Sequence, residues 1–560
     1  MNLGVETGQI RDVQGDLSTL FAQARDLHAS GDLAEANRLY GDIIGRAPHH
    51  ADALHMRGLL ALQVGHPEPA VALISRAIAL APAGLMHHNR AAALARLDRF
   101  DDALADYTAA VALQPDLVQT LAAHGKLLSR LGRGEDAAAL YASAIARFPH
   151  DAALHFAAGE AHRSAGRAIA ALEAFDHAIA LAPGFLAAHM AKGDLLAEQG
   201  RLAAALTAFD DLLAVDSANA VAHFNRGVML RKLGRTDEAI AANEAAIARA
   251  PDFAKAHQQL AICLLQKGDL ARGLAEYEWR RRTSENADPR YALPSPWWGE
   301  DLTGRTLYIF PELYLGDMIQ FCRYAVLAEQ RGAQVVLAAP RALHTLLRSL
   351  SPTLTLIDAS QAPERFDYQC ALLSLPKAFG AAIPAQPYLA AEPALIEQWR
   401  DKIGGRGFKI GVCWQGSTLP YADAMQRSYP LAELAPLAAC ADARLISLQK
   451  YSGLDQLDDL PPGMAVEVYR DFDDGENAFV DTAAMMAACD LIVTADTSVA
   501  HLAGALGIPV WLALPWLADW RWLETGETSA WYPSMRLFRQ PAPGDWQSVF
   551  DAMAKALAAR

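Results

Sequence analysis

TADTSVAHLAGALGIPVW, residues 494–511, decides how the second half of the chain folds. Leu491-Ile492-Val493 precedes it and Val510-Trp511-Leu512 closes it, two short apolar β runs bounded by turn-forming residues. Between them Asp496, Thr497 and Ser498 are N-cap residue types, whose side-chain oxygens accept from the first amides of a helix. Ala500 to Gly507 is rich in Ala and Gly and packs closely on a sheet. The stretch therefore reads as strand, capped helix, strand. On its own it supports two readings, a well-capped βα junction or a helix start whose amides and partial positive charge hold a phosphate.

Working outward, the same alternation fills residues 297–560. Strands are expected at 306–310, 334–338, 354–357 and 368–372, with helices at 317–331 and 341–350. A helix over 392–403 precedes a second series of strands at 409–414, 444–448, 466–469, 491–494, 510–514 and 535–538. Alternating βα units predict parallel sheets, so two Rossmann-like, doubly wound domains are expected, 297–403 and 404–560, facing one another across a cleft.

The first half has a different texture. Prolines recur at 48, 82, 115, 149, 183 and 251, with Ser217 in the gap, at a step of 34 residues and once 33. Gly58, Ala91, Gly125, Gly159, Gly193, Gly227 and Ala261 keep the step, and so do the turn positions Gly31, Gly65, Asp98, Gly132, Gly166, Gly200, Gly234 and Gly268. Small residues at a helix crossing, a turn and a closing proline at this period are the tetratricopeptide pattern. After an N-terminal tail over 1–19, about eight helix pairs are expected over 20–282, stacked into an all-α superhelix with a concave groove for a peptide or partner helix. A polar linker, 283–296, follows. Asn89, Arg90, Asn225 and Arg226 are the leading acceptor-binding candidates in the groove, with Asn243, Arg57, His124, His155, His189 and His223 beside them. The competing reading for any one of these is packing between repeats.

Composition narrows the classes. The net charge of −15 argues against nonspecific binding to nucleic acid or anionic membrane. No run of 18 apolar residues predicts a membrane span, and Met1 to Asp12 lacks the basic and apolar regions of a secretory signal, so a cytoplasmic protein is expected. Six scattered cysteines without a CxxC read as reduced, mostly buried thiols with no metal cluster.

Polar groups gather at the strand ends. After the first strand, Gly316 permits a turn and Asp317 caps the next helix, and a carboxylate there is placed to accept a proton from an attacking hydroxyl; Glu312 is the rival base. After the strand ending at Trp414, Gln415-Gly416-Ser417 allows close approach to a phosphate, and Arg427 is a cation for it. Gln449 and Lys450 follow the next strand, and His501 stands one turn into the opening helix. Asp471-Phe472-Asp473-Asp474 has the form of a metal-binding DxD but reads here as a solvated acidic loop, so no metal is expected.

Residues 493–514 resemble the D-[ST]-[GSA]-x-x-H-x-A motif of the family-9 glycosyltransferases, the heptosyltransferase group, and Leu315-Gly316-Asp317 with Ile319 resembles that group's N-terminal loop. Trp297-Trp298-Gly299, GDMIQFCRYA (316–325), SLQK (447–450), PWLADWRWL (515–523), WYPSMRLFRQ (531–540) and GDW (544–546) resemble bacterial tetratricopeptide-repeat glycosyltransferases. The resemblance implies a GT-B fold and an inverting, metal-independent transferase that needs no cofactor beyond its nucleotide-sugar donor. It implies Asp317 as base and Asp496, Thr497, Ser498 and His501 as the donor-phosphate motif. Asp519, Trp520, Arg521 and Trp522 then frame the donor base or sugar. The acceptor it implies is a Ser or Thr of a protein held by the repeats, flagellin first, with a nonulosonic acid as donor sugar. Two alternatives stay open: a transferase acting on a glycan or lipid carrier, and a non-catalytic repeat scaffold with a degenerate transferase half. The sequence departs from the usual loops at Leu313-Tyr314 and at Gln415-Gly416-Ser417.

Overall fold

The computed structural model describes residues 4–283, 288–312, 314–417, 426–474 and 477–560, with side chains from residue 16 onward. Part of the N-terminal tail, part of the 283–296 linker, Leu313 and the segment between Ser417 and Gln426 lie outside the described residues. By internal packing the chain divides into two units, Met1–Ser217 and Ala218–Arg560.

The first unit is all-α. Helix pairs such as Ala152–Ser164 with Ala168–Leu181 repeat along it, joined by tight turns. The turn residue adopts a left-handed backbone throughout the array; where the glycine column is broken, Asp98 takes the same conformation at φ 56°. The small-residue column is explained by rings. A Cβ on Gly159 would sit 2.4 Å from Phe175, and one on Gly125 would sit 2.2 Å from Tyr141. These pairs, and the one in which Gly193 faces Phe209, close over buried rings, each worth roughly 2–3 kcal/mol of burial, while Gly58 faces Ile74 instead.

The second unit holds the last helices, from Ala220–Lys232 to Leu270–Tyr277, a 3-10 turn over Glu278–Arg282, and an α/β region. A four-stranded sheet comprises β1 (Thr306–Phe310), β2 (Gln334–Ala339), β3 (Thr355–Asp358) and β4 (Tyr368–Ala371), in the order β3-β2-β1-β4. A six-stranded sheet comprises β5 (Phe408–Cys413), β6 (Ala443–Ser447), β7 (Val466–Glu467), β8 (Leu491–Ala495), β9 (Val510–Leu514) and β10 (Met535–Arg539), in the order β10-β9-β8-β5-β6-β7. Neighbouring strands within both sheets pair in parallel. The strand order reverses beside β1 and beside β5, and a crevice opens at the carboxyl ends of strands at such points.

Two expected helices are shorter than their spans. The 317–331 span is two helices, Leu315–Phe321 and Arg323–Gln330, and 341–350 is a 3-10 turn followed by His344–Leu347. There His344 Nε2 donates to the carbonyls of Ala339 and Ile357, drawing the segment back onto the strand ends.

The end of the array is not a separate body. Ala261, Leu265, Leu274 and Tyr277 bury in one apolar cluster with Trp297, Leu307, Ile319 and Trp520. Arg280 of the 3-10 turn, 2% exposed, pairs with Glu312 beyond β1 at 2.8 Å and donates to Ser374 Oγ.

Candidate active site

A cavity of about 660 Å³ lies at the carboxyl ends of both sheets of the second unit. Its lining joins Tyr314–Asp317 after β1, Gln415–Ser417 after β5, Gln449–Ser452 after β6, Asp496–Val499 after β8, and Asp519 and Arg521 after β9. Of the residues singled out from sequence, Asp317, Gly416, Ser417, Arg427, Gln449, Lys450, Asp496, Thr497, Ser498 and His501 line it.

Two helix starts meet at this cavity. In the Leu315–Phe321 helix, Tyr314 N donates to Asp317 Oδ2 at 3.2 Å as part of a capping box. In the Ser498–Ala505 helix, Thr497 Oγ1 accepts from Val499 N. A Cβ on Gly316 would lie 3.3 Å from His501 and 3.6 Å from Ser498 Cα, so a glycine lets the two starts approach and brings Asp317 opposite Thr497 and Ser498. Gly416 does the same on the neighbouring loop, where a Cβ would lie 3.3 Å from Thr497.

The charges are unequal in standing. Asp317 is 8% exposed; burial raises its carboxyl above the ordinary range, while the Arg521 guanidinium, 2.6 Å from Oδ1, and the Tyr314 amide pull it down. Asp496 is pushed up to about 6 by burial and by the charge of Asp519, against the pull of Arg427, the Trp522 indole and Arg521. His501 is held well below its usual value by burial and by three nearby arginines; its Nδ1 lies 3.0 Å from the Tyr532 hydroxyl and its ring stacks on Trp522. It is therefore a neutral imidazole at pH 7. Burial pushes the Cys413 thiol up to about 11, so it is no nucleophile.

Other positions serve the frame. Gln449 Oε1 accepts from the amides of Trp414 and Gln415 while its Nε2 donates to Gln415 O, which fixes the loop after β5. Lys450 pairs with Asp474 at 2.7 Å. The acidic loop is not simply solvated: Phe472 is buried, and Asp473 accepts from the Asp481 and Thr482 amides at the start of the Val480–Ala487 helix.

Glu312 and Trp520 do not line the cavity. Glu312 accepts from Arg280, from the Tyr291 hydroxyl and from Leu373 N, and is sealed between the end of the array and the first sheet. Trp520 packs against Tyr277 and Trp531 behind the cavity. The residue beside it, Arg521, is the one that enters. The motif PWLADWRWL held that signal, since an arginine two residues after an aspartate places a cation at a strand end.

The acceptor candidates divide between the units. Asn89 is buried and donates to His55 Nε2 at 2.8 Å, and Arg90 grips Asp106 at 2.6 and 2.7 Å, so both join neighbouring helices of the array. Asn225 and Arg226 are half-buried on the Ala220–Lys232 helix of the second unit. The histidine column is structural: the Nε2 atoms of His155, His189 and His257 donate to the carbonyls of Pro149, Pro183 and Pro251, six residues upstream in each repeat.

Helix pairs at this period, closed over small residues and turned by left-handed glycines, define tetratricopeptide repeats. Residues 21–84, 55–117, 122–184, 190–252 and 232–287 match that repeat family. Among named relatives, the chain is 27% identical over 332 residues to Protein FlbA of Caulobacter vibrioides, across 55% of each chain, so it spans about half the length of that protein. It is 46% identical over 67 residues to the Hsp70-Hsp90 organizing protein of Triticum aestivum, 12% of each chain. Among solved structures, the C-terminal part of a repeat-containing protein from Cytophaga hutchinsonii is similar at 15% identity and a TM-score of 0.39, over 43% of this chain and 99% of that one. Arrays of this kind offer concave surfaces to protein partners, which supports a protein-binding role for the repeats. Among the described residues no helix is long and apolar enough to cross a membrane.

Proposed function

We propose that the chain is a glycosyltransferase of GT-B type, moving a sugar from a nucleotide-sugar to a Ser or Thr hydroxyl of a protein acceptor bound by the repeats. The observation that carries this reading is the facing pair in the cavity, the Asp317 carboxylate from one sheet and the Thr497–Ser498 helix start from the other. The leading acceptor is flagellin, with a nonulosonic acid as donor sugar; this part rests on the motif resemblance, and the cytoplasm as its place rests on the scattered, unpaired pattern of cysteines in the sequence.

In this reading the donor's phosphate lies against the start of the Ser498–Ala505 helix, with Arg427 as its cation. The acceptor oxygen attacks the anomeric carbon, the bond from that carbon to the phosphate oxygen breaks, and the nucleotide leaves with the electron pair. The hydroxyl proton passes to Asp317, whose burial strengthens it as a base. Fixed dipoles and Arg427 stabilise the charge that grows on the leaving phosphate in place of a metal ion, and a single attack from the face opposite that phosphate inverts the sugar.

Asp317→Asn should lower transfer by roughly 10²–10⁴-fold while nucleotide-sugars still raise the thermal midpoint as they do for the native chain. The screen uses CMP-, UDP-, GDP- and ADP-linked sugars. If none of these shifts the midpoint of the native chain, the cavity is not a donor site and the reading fails.

A further inference from the structure

We propose that Arg521 is a positioning residue that fixes the Asp317 carboxylate, and that the last repeat pair holds Arg521 in place through Gln266; the proposal rests on the reading of Asp317 as proton acceptor.

Each nitrogen of the guanidinium is engaged. Nη2 donates to Asp317 Oδ1 at 2.6 Å, Nε to Gln320 Oε1 at 2.6 Å and Nη1 to Asp519 Oδ1 at 2.9 Å. Gln320 lies on the same helix as Asp317, so the planar fork binds that helix at two points one turn apart. With Tyr314 N on Oδ2, both carboxylate oxygens are held. Lysine, a point charge on a flexible stem, cannot reproduce three divergent contacts.

The loop that carries Arg521 does not stand on the sheet alone. Gln266, the last residue of the Ala254–Gln266 helix and 5% exposed, brackets it: its side-chain Nε2 donates to Ala518 O at 2.9 Å, and Glu524 N donates to its backbone carbonyl at 2.9 Å. Between those two bonds lie Asp519 to Leu523. Leu523 holds a left-handed backbone at φ 60°, a conformation that persists only where surroundings impose it. Thr236 Oγ1 donates to Glu524 Oε1, Lys267 pairs with Glu524 at 3.4 Å, and Tyr277 packs on Trp520. The last repeats therefore form part of the wall behind the proposed base, and a partner that bound them would act on a loop in contact with Asp317.

The charged groups that act on Asp317 are Arg521, Asp519 and Glu312. Arg521 alone among them favours the carboxylate, so its removal must raise the pH at which Asp317 titrates. The test uses the full chain labelled with 13C at aspartate carboxyls, the Asp317 signal being assigned by its loss in Asp317→Asn, together with the pH dependence of kcat/KM. In Arg521→Gln the Asp317 titration and the acid limb of the rate profile should both move up by about one unit or more. Arg521→Lys should restore most of the titration, because charge is kept, but not kcat, because the fork is lost. Gln266→Met, which keeps volume and the backbone bond from Glu524 N but loses the side-chain bond to Ala518 O, should lower kcat severalfold with KM for the donor unchanged; it also serves if Arg521→Gln does not fold. An Asp317 signal that stays in place in the Arg521 variants while the thermal midpoint falls would make Arg521 a packing residue and overturn the proposal. If the signal moves but no nucleotide-sugar supports transfer, the positioning stands and the glycosyltransferase reading falls.

Discussion

In the first unit, Asn89 is bonded to His55, Arg90 to Asp106 and Ser75, and His155 and His189 to prolyl carbonyls of the turns before their own helices; these four side chains, offered by the sequence to a partner, already serve the packing of the array. At the strand ends of the second unit, Asp317, Asp496 and His501 sit in a cavity wall, with their proton affinities displaced by burial and by one another. A repeat must satisfy its own buried polar groups to stack, so its histidines and asparagines are first of all mortar. A strand end at a switch point carries no such obligation, and strained titrations collect there. Glu312 and Asp317 show the same contrast within one loop. The first has four donors and no access to the cavity; the second has access and two donors, the Arg521 guanidinium and the Tyr314 amide.

The sharpest way to break that contrast is Glu312→Ala. It leaves Arg280, 2% exposed, without its carboxylate and should cost about 3–5 kcal/mol, read as a fall in the unfolding transition of the second unit. Loss of transfer at an unchanged transition would instead make Glu312 part of the chemistry, and the division between framework and site carboxylate would be wrong.

Asp496→Asn is next in size. A carboxyl raised to about 6 in the folded state binds protons more readily there than in the unfolded chain, so its contribution to stability falls as pH rises from about 4 to about 6. His501, held low, works in the opposite sense: the unfolded chain takes up its proton first, and stability is lost as pH falls below about 6.5. Removing the Asp496 charge should stabilise the chain at pH 7.5 by at most on the order of 2–3 kcal/mol, read as a higher thermal midpoint, and the gain should vanish near pH 4. A gain that persists at pH 4 would mean that packing, not the buried charge, sets the effect.

How much of this was readable in advance follows from the kind of constraint. The array was legible because a small residue under a larger side chain recurs at one period, and even the exception in the turn column, Asp98 among glycines, kept its backbone conformation. The α/β region was legible through its apolar strands and the residues that end them; ten of the twelve catalytic and donor positions named from sequence line one cavity. What was not legible depends on distance along the chain. Nothing local to Glu312 announces that Arg280, 32 residues earlier, takes it out of the cavity. Nothing local to Arg521 announces that it reaches Asp317, 204 residues away. The short turn at His344 was missed because contacts with strand ends override helical pattern.

The smallest expected effect tests the mortar reading where it is most exposed to error. Asn89 lies at a repeat position suited to a peptide backbone, yet its amide is 8% exposed and bonded to His55. Asn89→Ala removes one buried hydrogen bond and leaves the His55 ring nitrogen without a donor, which should lower the stability of the first unit by about 1–2 kcal/mol. Titration of an acceptor protein against the variant, followed by anisotropy, should give the affinity of the native chain within a factor of two. A tenfold weaker affinity at unchanged stability would make Asn89 a ligand to the partner. Then the side chains of the array, like those of the cavity wall, would be held in place by the fold yet left open to a second molecule.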